Sequence, residues 1–252
     1  MHRVVATRAK PIQNSVASYH GTCTMRFSQC EPPLATFIAR EPAVAYGTCE
    51  ALSTYWIREH AAGRSLFTWL YAGFEKSGNA ARGVGMRMGR LTNVMSLQVE
   101  EGAEPDAGVH PGRDTASEEW LVAHANDVRR IYSSRDAMRI PGLRVMGDKA
   151  LLGGTGETRV FTSQALASAI CDSAGHDAGR YLKSGIEGTA GGHSMAAYVA
   201  GDVCFFDPNF GEFWFESHQM FKSWFTGYFW HASMYSVGLS GSYSVRSYSG
   251  RA

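Results

Sequence analysis

Three residues, far apart in the chain, have the types that together perform acyl-transfer chemistry. Cys49 follows Gly47-Thr48 and precedes Glu50-Ala51-Leu52, so it stands where an apolar-periodic stretch begins. A helix N-terminus presents unpaired N–H groups and a partial positive charge, and both favour a thiolate, the nucleophilic form of cysteine. His193 heads the apolar run Met195-Ala196-Ala197-Tyr198-Val199, directly behind Gly191-Gly192. Asp207 ends the next run, Val203-Cys204-Phe205-Phe206, and leads into Pro208-Asn209-Phe210-Gly211. Each has an ordinary explanation alone: a small buried cysteine, a hydrogen-bonded half-buried histidine, and a turn aspartate, since Asp-Pro-Asn-x-Gly is good turn chemistry. Together they are a nucleophile, a base and a carboxylate that orients the base. If 193–199 and 203–206 form a hairpin, the head of one strand lies beside the tail of the other, and His193 and Asp207 meet.

The elements that must position them are readable from periodicity. Leu52, Trp56, Ile57, Leu66, Phe67 and Leu70 predict a helix from Glu50 to about Leu70, with a break at Gly63. Period-two patterns predict strands over Arg180–Ile186, His193–Val199, Val203–Phe206 and Phe213–Phe215. Further helices are expected over Glu118–Asp136, over Thr162–Ala174 with a Thr162 or Ser163 cap, and over the Phe/Trp-rich stretch Ser217–Trp230, which reads as core. Gly73–Gly89 reads as a turn and a short helix. The acidic, Pro/Gly-rich stretch Glu100–Ser117 reads as a mobile loop or insertion. Residues 1–40 read as a flexible leader, 41–230 as the catalytic domain, and 231–252 as a Ser/Gly/Tyr-rich tail without a core-forming pattern. Helices first and an antiparallel sheet after them give an α+β class.

Composition narrows the function. The chain has 252 residues, 44% hydrophobic and 19% charged, enough to build a core without staples. Lys+Arg 24 against Asp+Glu 23 argues against a nucleic-acid footprint. Met1–Val16 has no apolar stretch of signal-peptide length. The five cysteines, Cys23, Cys30, Cys49, Cys171 and Cys204, are odd in number and lack CxxC spacing. They are expected as free thiols of a reducing compartment rather than disulfides or a zinc site. Cys23 and Cys30 fall in the leader, where exposure is open to them. His176, His218 and His231 lack ligand-like spacing, and Gly83-x-Gly85 and Gly153-Gly154-x-Gly156 lack the rest of a phosphate loop. No cofactor and no metal are expected.

Three stretches carry a family resemblance. They are Gly47-Thr48-Cys49-Glu50-Ala51-Leu52-Ser53 with Trp56-Ile57, Gly192-His193-Ser194-Met195-Ala196, and Phe205-Phe206-Asp207-Pro208-Asn209-Phe210-Gly211-Glu212-Phe213. In this order they resemble the YopT/AvrPphB family of bacterial effector cysteine proteases, in the papain-like clan. The resemblance implies a papain-like fold, with a helical part carrying the nucleophile packed on an antiparallel sheet, and a Cys49-His193-Asp207 triad. It implies a monomeric endopeptidase acting on a host protein, and secretion without a cleavable signal through a specialised system into the host cytoplasm. The Cys-to-His separation is longer than usual for the family, with Glu100–Ser117 the natural insertion. Papain-like sites also place an upstream polar side chain in the oxyanion hole. Pro42, Ala43, Val44 and Ala45 offer none, and Gln29 is the candidate, ahead of Asn14 and Gln13. The same three residues also serve deamidases, transglutaminases and acyltransferases, and a non-enzymatic binding protein on this frame is the remaining alternative.

Overall fold

Helix α1, His2–Ser15, is amphipathic. Val5, Ala9 and Ile12 recur at helical spacing, Val16 continues the stripe, and all four are buried. Charged Arg8 and Lys10 and exposed Pro11 disguise this stripe in the sequence. Strand β1, Gly21–Arg26, follows. The stretch expected as a leader is therefore part of the folded unit, and Cys23 and Cys30 within it are buried.

The computed structural model describes residues 2–44, 47–77, 80–102, 143–151, 162–172 and 179–250. The remaining strands are β2 Tyr71–Ser77, β3 Ala80–Met86, β4 Leu143–Leu151, β5 Arg180–Gly188, β6 Gly191–Val199, β7 Val203–Asp207, β8 Gly211–Phe215 and β9 Ser242–Gly250. The remaining helices are α2 Leu34–Ile38, α3 Cys49–Ala61, α4 Leu66–Leu70, α5 Met88–Gly102, α6 Ser163–Asp172, and α7 His218–Trp224. A π-turn at Phe225–Phe229 carries α7 into α8, Trp230–Ala232, and α9 is Tyr235–Gly238.

The strands form one sheet in the order β2-β3-β1-β8-β7-β6-β5-β9-β4. Every pairing is antiparallel except β1 with β3. Period-two alternation puts Met195, Ala197, Val203, Phe205 and Phe213 on one face, in a core shared with α1, α6 and the 218–230 helix. Ala196, Phe206, Tyr198 and Cys204 face the other way, into a core built by α3, α4 and α5. Fully buried Phe205, Phe221, Trp224, Phe225 and Phe229 each contribute about 1.5–3 kcal/mol relative to exposure. The aromatic 217–230 stretch is core, as expected.

The four strands expected over 180–215 are present, with ends within a few residues of expectation, and α3 and α4 are separated around Gly63. Thr162 Oγ1 accepts from Ala165 N at 3.1 Å and so caps α6. Other expectations are corrected. Gly73–Gly89 holds β2, β3 and the start of α5 rather than a turn and a short helix; glycines inside both strands hide their alternation. The order is not helices first, because β1, β2 and β3 precede or interleave with the helices. Residues 242–250, expected in the tail, form β9, with Tyr243, Val245 and Tyr248 buried. Alternating serines kept its apolar content low. The glycine-rich stretch Gly147–Gly156 reads as turn-like in the sequence, but as far as Leu151 it belongs to β4, paired with β9; the rest of it, the expected helix 118–136, His176 and all but the first residues of the 100–117 loop lie outside the described residues. Glu100–Gly102 closes α5.

Candidate active site

Cys49 is the first residue of α3 and is half-buried. The backbone reaches it through Gly47, whose φ of 116° suits glycine. A Cβ at Gly47 would also sit 3.3 Å from Gln29 Oε1. Gln29 itself is buried, and it braces this entry. Its Oε1 accepts from Thr48 N at 2.7 Å and from Thr48 Oγ1 at 3.0 Å, and its Nε2 donates to Asn209 Oδ1 at 2.9 Å.

His193 lies near the start of β6, and Asp207 ends β7. Pairing of Ala196 with Phe206 and of Val199 with Val203 makes the expected hairpin. His193 Nε2 lies 3.2 Å from both Asp207 oxygens, which leaves Nδ1 as the nitrogen available to a second partner. Cys49 is near enough to the same ring to help hold its proton. The three residues singled out from the sequence are thus brought together. Burial pulls the imidazole toward its neutral form. The Asp207 carboxylate, by charge and hydrogen bond, and then Cys49 outweigh burial and raise His193 to about 10.

Asp207 is fully buried, so its charge needs donors from every side. Besides His193 it accepts from Asn209 N at 2.7 Å and from the Tyr235 hydroxyl, at 3.0 Å on Oδ2. Asp207 is a turn aspartate as well, since Phe210 N returns to Asp207 O at 3.0 Å. The ordinary and the chemical roles fall on the same residue. Pro208 O in this turn accepts from Gln29 N at 2.7 Å, holding the Gln29 loop to it.

Sequence reasoning gave no role to Tyr235, or to Asn209 within its quoted stretch. Glu212, in the same quoted stretch, had no role either; it accepts from Trp56 Nε1 and Thr24 Oγ1, both at 2.7 Å. Buried Lys183 on β5 pairs with Glu50, the residue after the nucleophile, at 2.5 Å. Periodicity could have placed Lys183 on the face of Ala196, toward α3, but no local pattern marks its partner.

The other four thiols stand apart. Burial raises Cys23, Cys30 and Cys171 to about 12, and raises Cys204 well above the ordinary thiol value. Among the described residues no group of three or more His, Cys, Asp or Glu is disposed to hold a metal. Nor, among them, is any helix long and apolar enough to cross a membrane.

Comparison with known proteins covers most of the chain. Residues 13–248 match the peptidase family described as Yersinia/Haemophilus virulence surface antigen. The chain is 34% identical over 249 residues to the cysteine protease yopT1 of Yersinia enterocolitica, covering 97% of this chain and 70% of that protein. It is 33% identical over 237 residues to the cysteine protease YopT of Yersinia pseudotuberculosis, covering 93% of this chain and 66% of that protein. Among solved structures, the Pseudomonas avirulence protein AvrPphB is similar at 15% identity with a TM-score of 0.44, over 83% of this chain and 95% of that one.

Proposed function

The chain belongs to the peptidase family of Yersinia/Haemophilus virulence surface antigens and is a cysteine protease, and on that premise we propose that Cys49, His193 and Asp207 form its hydrolytic triad. The observation that carries this reading is the His193 ring itself. One nitrogen is held by a buried carboxylate, and Cys49 at the head of α3 helps hold the proton of the same ring.

The Cys49 thiolate attacks the scissile carbonyl while imidazolium His193 stands beside it. The oxyanion of the tetrahedral intermediate takes the Cys49 N–H, one of the amides without an acceptor in the first helical turn. Gln29 supports it through the Nε2 hydrogen that Asn209 does not use. His193 then gives its proton to the leaving amine, and the carbon–nitrogen bond breaks. Water attacks the acyl-enzyme, His193 takes its proton, and the carboxylic acid leaves. Asp207 keeps the ring turned toward Cys49 throughout and stabilises its charged form.

The virulence description of the family supports a second step: the protein is a bacterial effector, delivered through a specialised secretion system to cleave a protein of the host cell. The test is incubation with host-cell lysate followed by N-terminal peptide profiling, wild type against Cys49→Ala. New N-termini that need Cys49 are expected. A Cys49-dependent mass shift of +1 Da on host side chains, with no new termini, would replace peptide hydrolysis by deamidation.

A further inference from the structure

Behind the His193–Asp207 pair runs a chain of side-chain hydrogen bonds in which every donor points the same way. Thr48 N donates to Gln29 Oε1 at 2.7 Å, and Gln29 Nε2 donates to Asn209 Oδ1 at 2.9 Å. Asn209 Nδ2 donates to the Tyr235 hydroxyl at 3.0 Å, and that hydroxyl donates to Asp207 Oδ2 at 3.0 Å. The chain begins on the residue before the nucleophile and ends on the carboxylate that holds the base. Gln29, Asn209, Tyr235 and Asp207 are all buried. In such surroundings aligned donors polarise one another, and an unmatched polar group is costly. The directions follow from the partners: Asp207 can only accept, and Thr48 N can only donate.

Tyr235 is built to hold its place. Met234, ahead of it, takes a left-handed φ of 67°, uncommon for a residue with a side chain. That turn directs Tyr235 inward at the start of α9. Its ring lies 5.0 Å from the His193 ring, and Phe210 and Phe229 pack on it at 5.9 and 5.8 Å. The ring therefore shields the His193–Asp207 contact from water while the hydroxyl fixes the carboxylate.

We propose that Tyr235 is a positioning residue of the hydrolytic site, acting through Asp207, and that Asn209 couples it to Gln29 and the entry of the nucleophile helix. This rests on the triad reading above. Two of the bonds to Asp207, from Asn209 N and from Tyr235, meet the oxygens that also face His193. Without the hydroxyl the carboxylate keeps its charge and loses the shorter of its two bonds on Oδ2, leaving His193 Nε2 at 3.2 Å. It is then free to turn from the ring, and the imidazolium beside Cys49 is held less firmly.

The test reads alkylation of Cys49 by iodoacetamide at about pH 6, residue by residue by mass spectrometry, so it needs no substrate. Tyr235→Phe removes one oxygen and keeps the ring. It is expected to slow Cys49 alkylation by about three- to tenfold, part of what a hydrogen bond to a charged group is worth. Asp207→Asn is expected to slow it more. In the Asp207→Asn background, Tyr235→Phe should change the rate by less than about twofold, because a residue acting through Asp207 has nothing left to act on. Asn209→Ala, which keeps the backbone donor to Asp207, should slow the wild-type reaction in the same sense as Tyr235→Phe.

Selective wild-type labelling with no effect of either variant overturns the proposal and leaves the triad intact. So does the same fold-loss from Tyr235→Phe in both backgrounds, which marks a structural role. Labelling of Cys30 and Cys171 in the variants would mean loosened packing and also overturns it. Wild-type Cys49 reacting no faster than the other four thiols would overturn the triad reading and this proposal together.

Discussion

Trp56 Nε1 donates to Glu212 Oε2 at 2.7 Å and so ties the nucleophile helix to β8. The other oxygen of the same carboxylate accepts from Thr24 Oγ1 on β1, also at 2.7 Å. One side chain thus joins two strands to the helix that begins with Cys49. Hydrogen bonds to a charged group are worth about 1.5–3 kcal/mol each; removing the Glu212 side chain orphans Trp56 Nε1, while Thr24 Oγ1 keeps the Glu212 backbone carbonyl at 3.1 Å. Glu212→Ala is therefore expected to destabilise the fold by about 2–4 kcal/mol, read as a lower urea midpoint. Thr24→Ala, which removes one bond and leaves the other, should cost less. Equal losses from the two would show that the Trp56 bond contributes nothing.

Substitutions at the triad should divide by role. Cys49→Ala and His193→Ala are each expected to lower cleavage by at least about a thousandfold, because attacking and proton-transfer groups act as a unit. Asp207→Asn should leave more activity, since it preserves shape and removes only orientation and charge. The readout is the yield of new N-termini in host-cell lysate. Wild-type yield from Cys49→Ala would remove Cys49 from the mechanism.

How far the site was legible follows from where its signals lie. Cys49, His193 and Asp207 stand at element ends, and element ends are what glycine, proline and periodicity mark. The hairpin that joins His193 to Asp207 is short, so its register could be read locally. Tyr235 was not legible, because its role depends on a contact with Asp207 across 28 residues of chain and a fold of rings around it. Gln29 was named for the oxyanion, but its two bonds to Thr48 and its bond to Asn209 belong to tertiary structure. Strand β9 was missed for a different reason. Ser242-Tyr243-Ser244-Val245 does alternate, but serine supplies little apolar weight, and burial comes from pairing with β5 and β4. In α1 the stripe of Val5, Ala9 and Ile12 was present and was masked by Pro11 and its charged neighbours.

Gly211 should tolerate no side chain. Its φ is 113°, and a Cβ there would lie 2.3 Å from Met25 O, a backbone atom that cannot step aside. The residue opens β8 directly after the Asp207 turn, so the strain would reach the site. Gly211→Ala is expected to lower stability by about 2 kcal/mol or more and to slow Cys49 alkylation as well. Gly201→Ala, where nothing stands within 4 Å of the added carbon, is the matched control. The idea fails if both variants melt together.

Thiol reactivity should single out one cysteine of five. Cys23, Cys30 and Cys171 are raised to about 12 by burial, and Cys204 is raised well above its ordinary value. Those four remain neutral near neutral pH, and Cys23, Cys30 and Cys171 are buried as well, while Cys204 is half-buried. Cys49 alone combines half-burial with a helix start and a histidine whose proton it helps to hold. At about pH 6, iodoacetamide should label Cys49 well before the others, and His193→Ala should erase the preference. Comparable labelling of Cys30 would contradict the assignment most directly, since Cys30 neighbours the site through Asn209.

Stability should fall on the alkaline side, with His193 responsible for the first part of the loss. Its imidazole is raised from 6.5 unfolded to about 10 folded, against burial and by Asp207 above all. A group raised in the folded state binds its proton more tightly there, so it stabilises the fold fully below about pH 6.5. Above that the unfolded chain releases the proton first, and the contribution declines until it is gone as pH passes about 10. Cys23, Cys30 and Cys171, raised from 9.0 to about 12, act in the same direction over a higher window. The urea midpoint of the wild type should therefore drop from about pH 6.5 upward and drop more steeply above about 9. His193→Gln lacks the titrating group, so its midpoint should start lower and stay nearly level until the thiols begin to titrate. Parallel decline of both proteins between about pH 6.5 and 9 would mean that His193 is not held as an imidazolium in the folded protein.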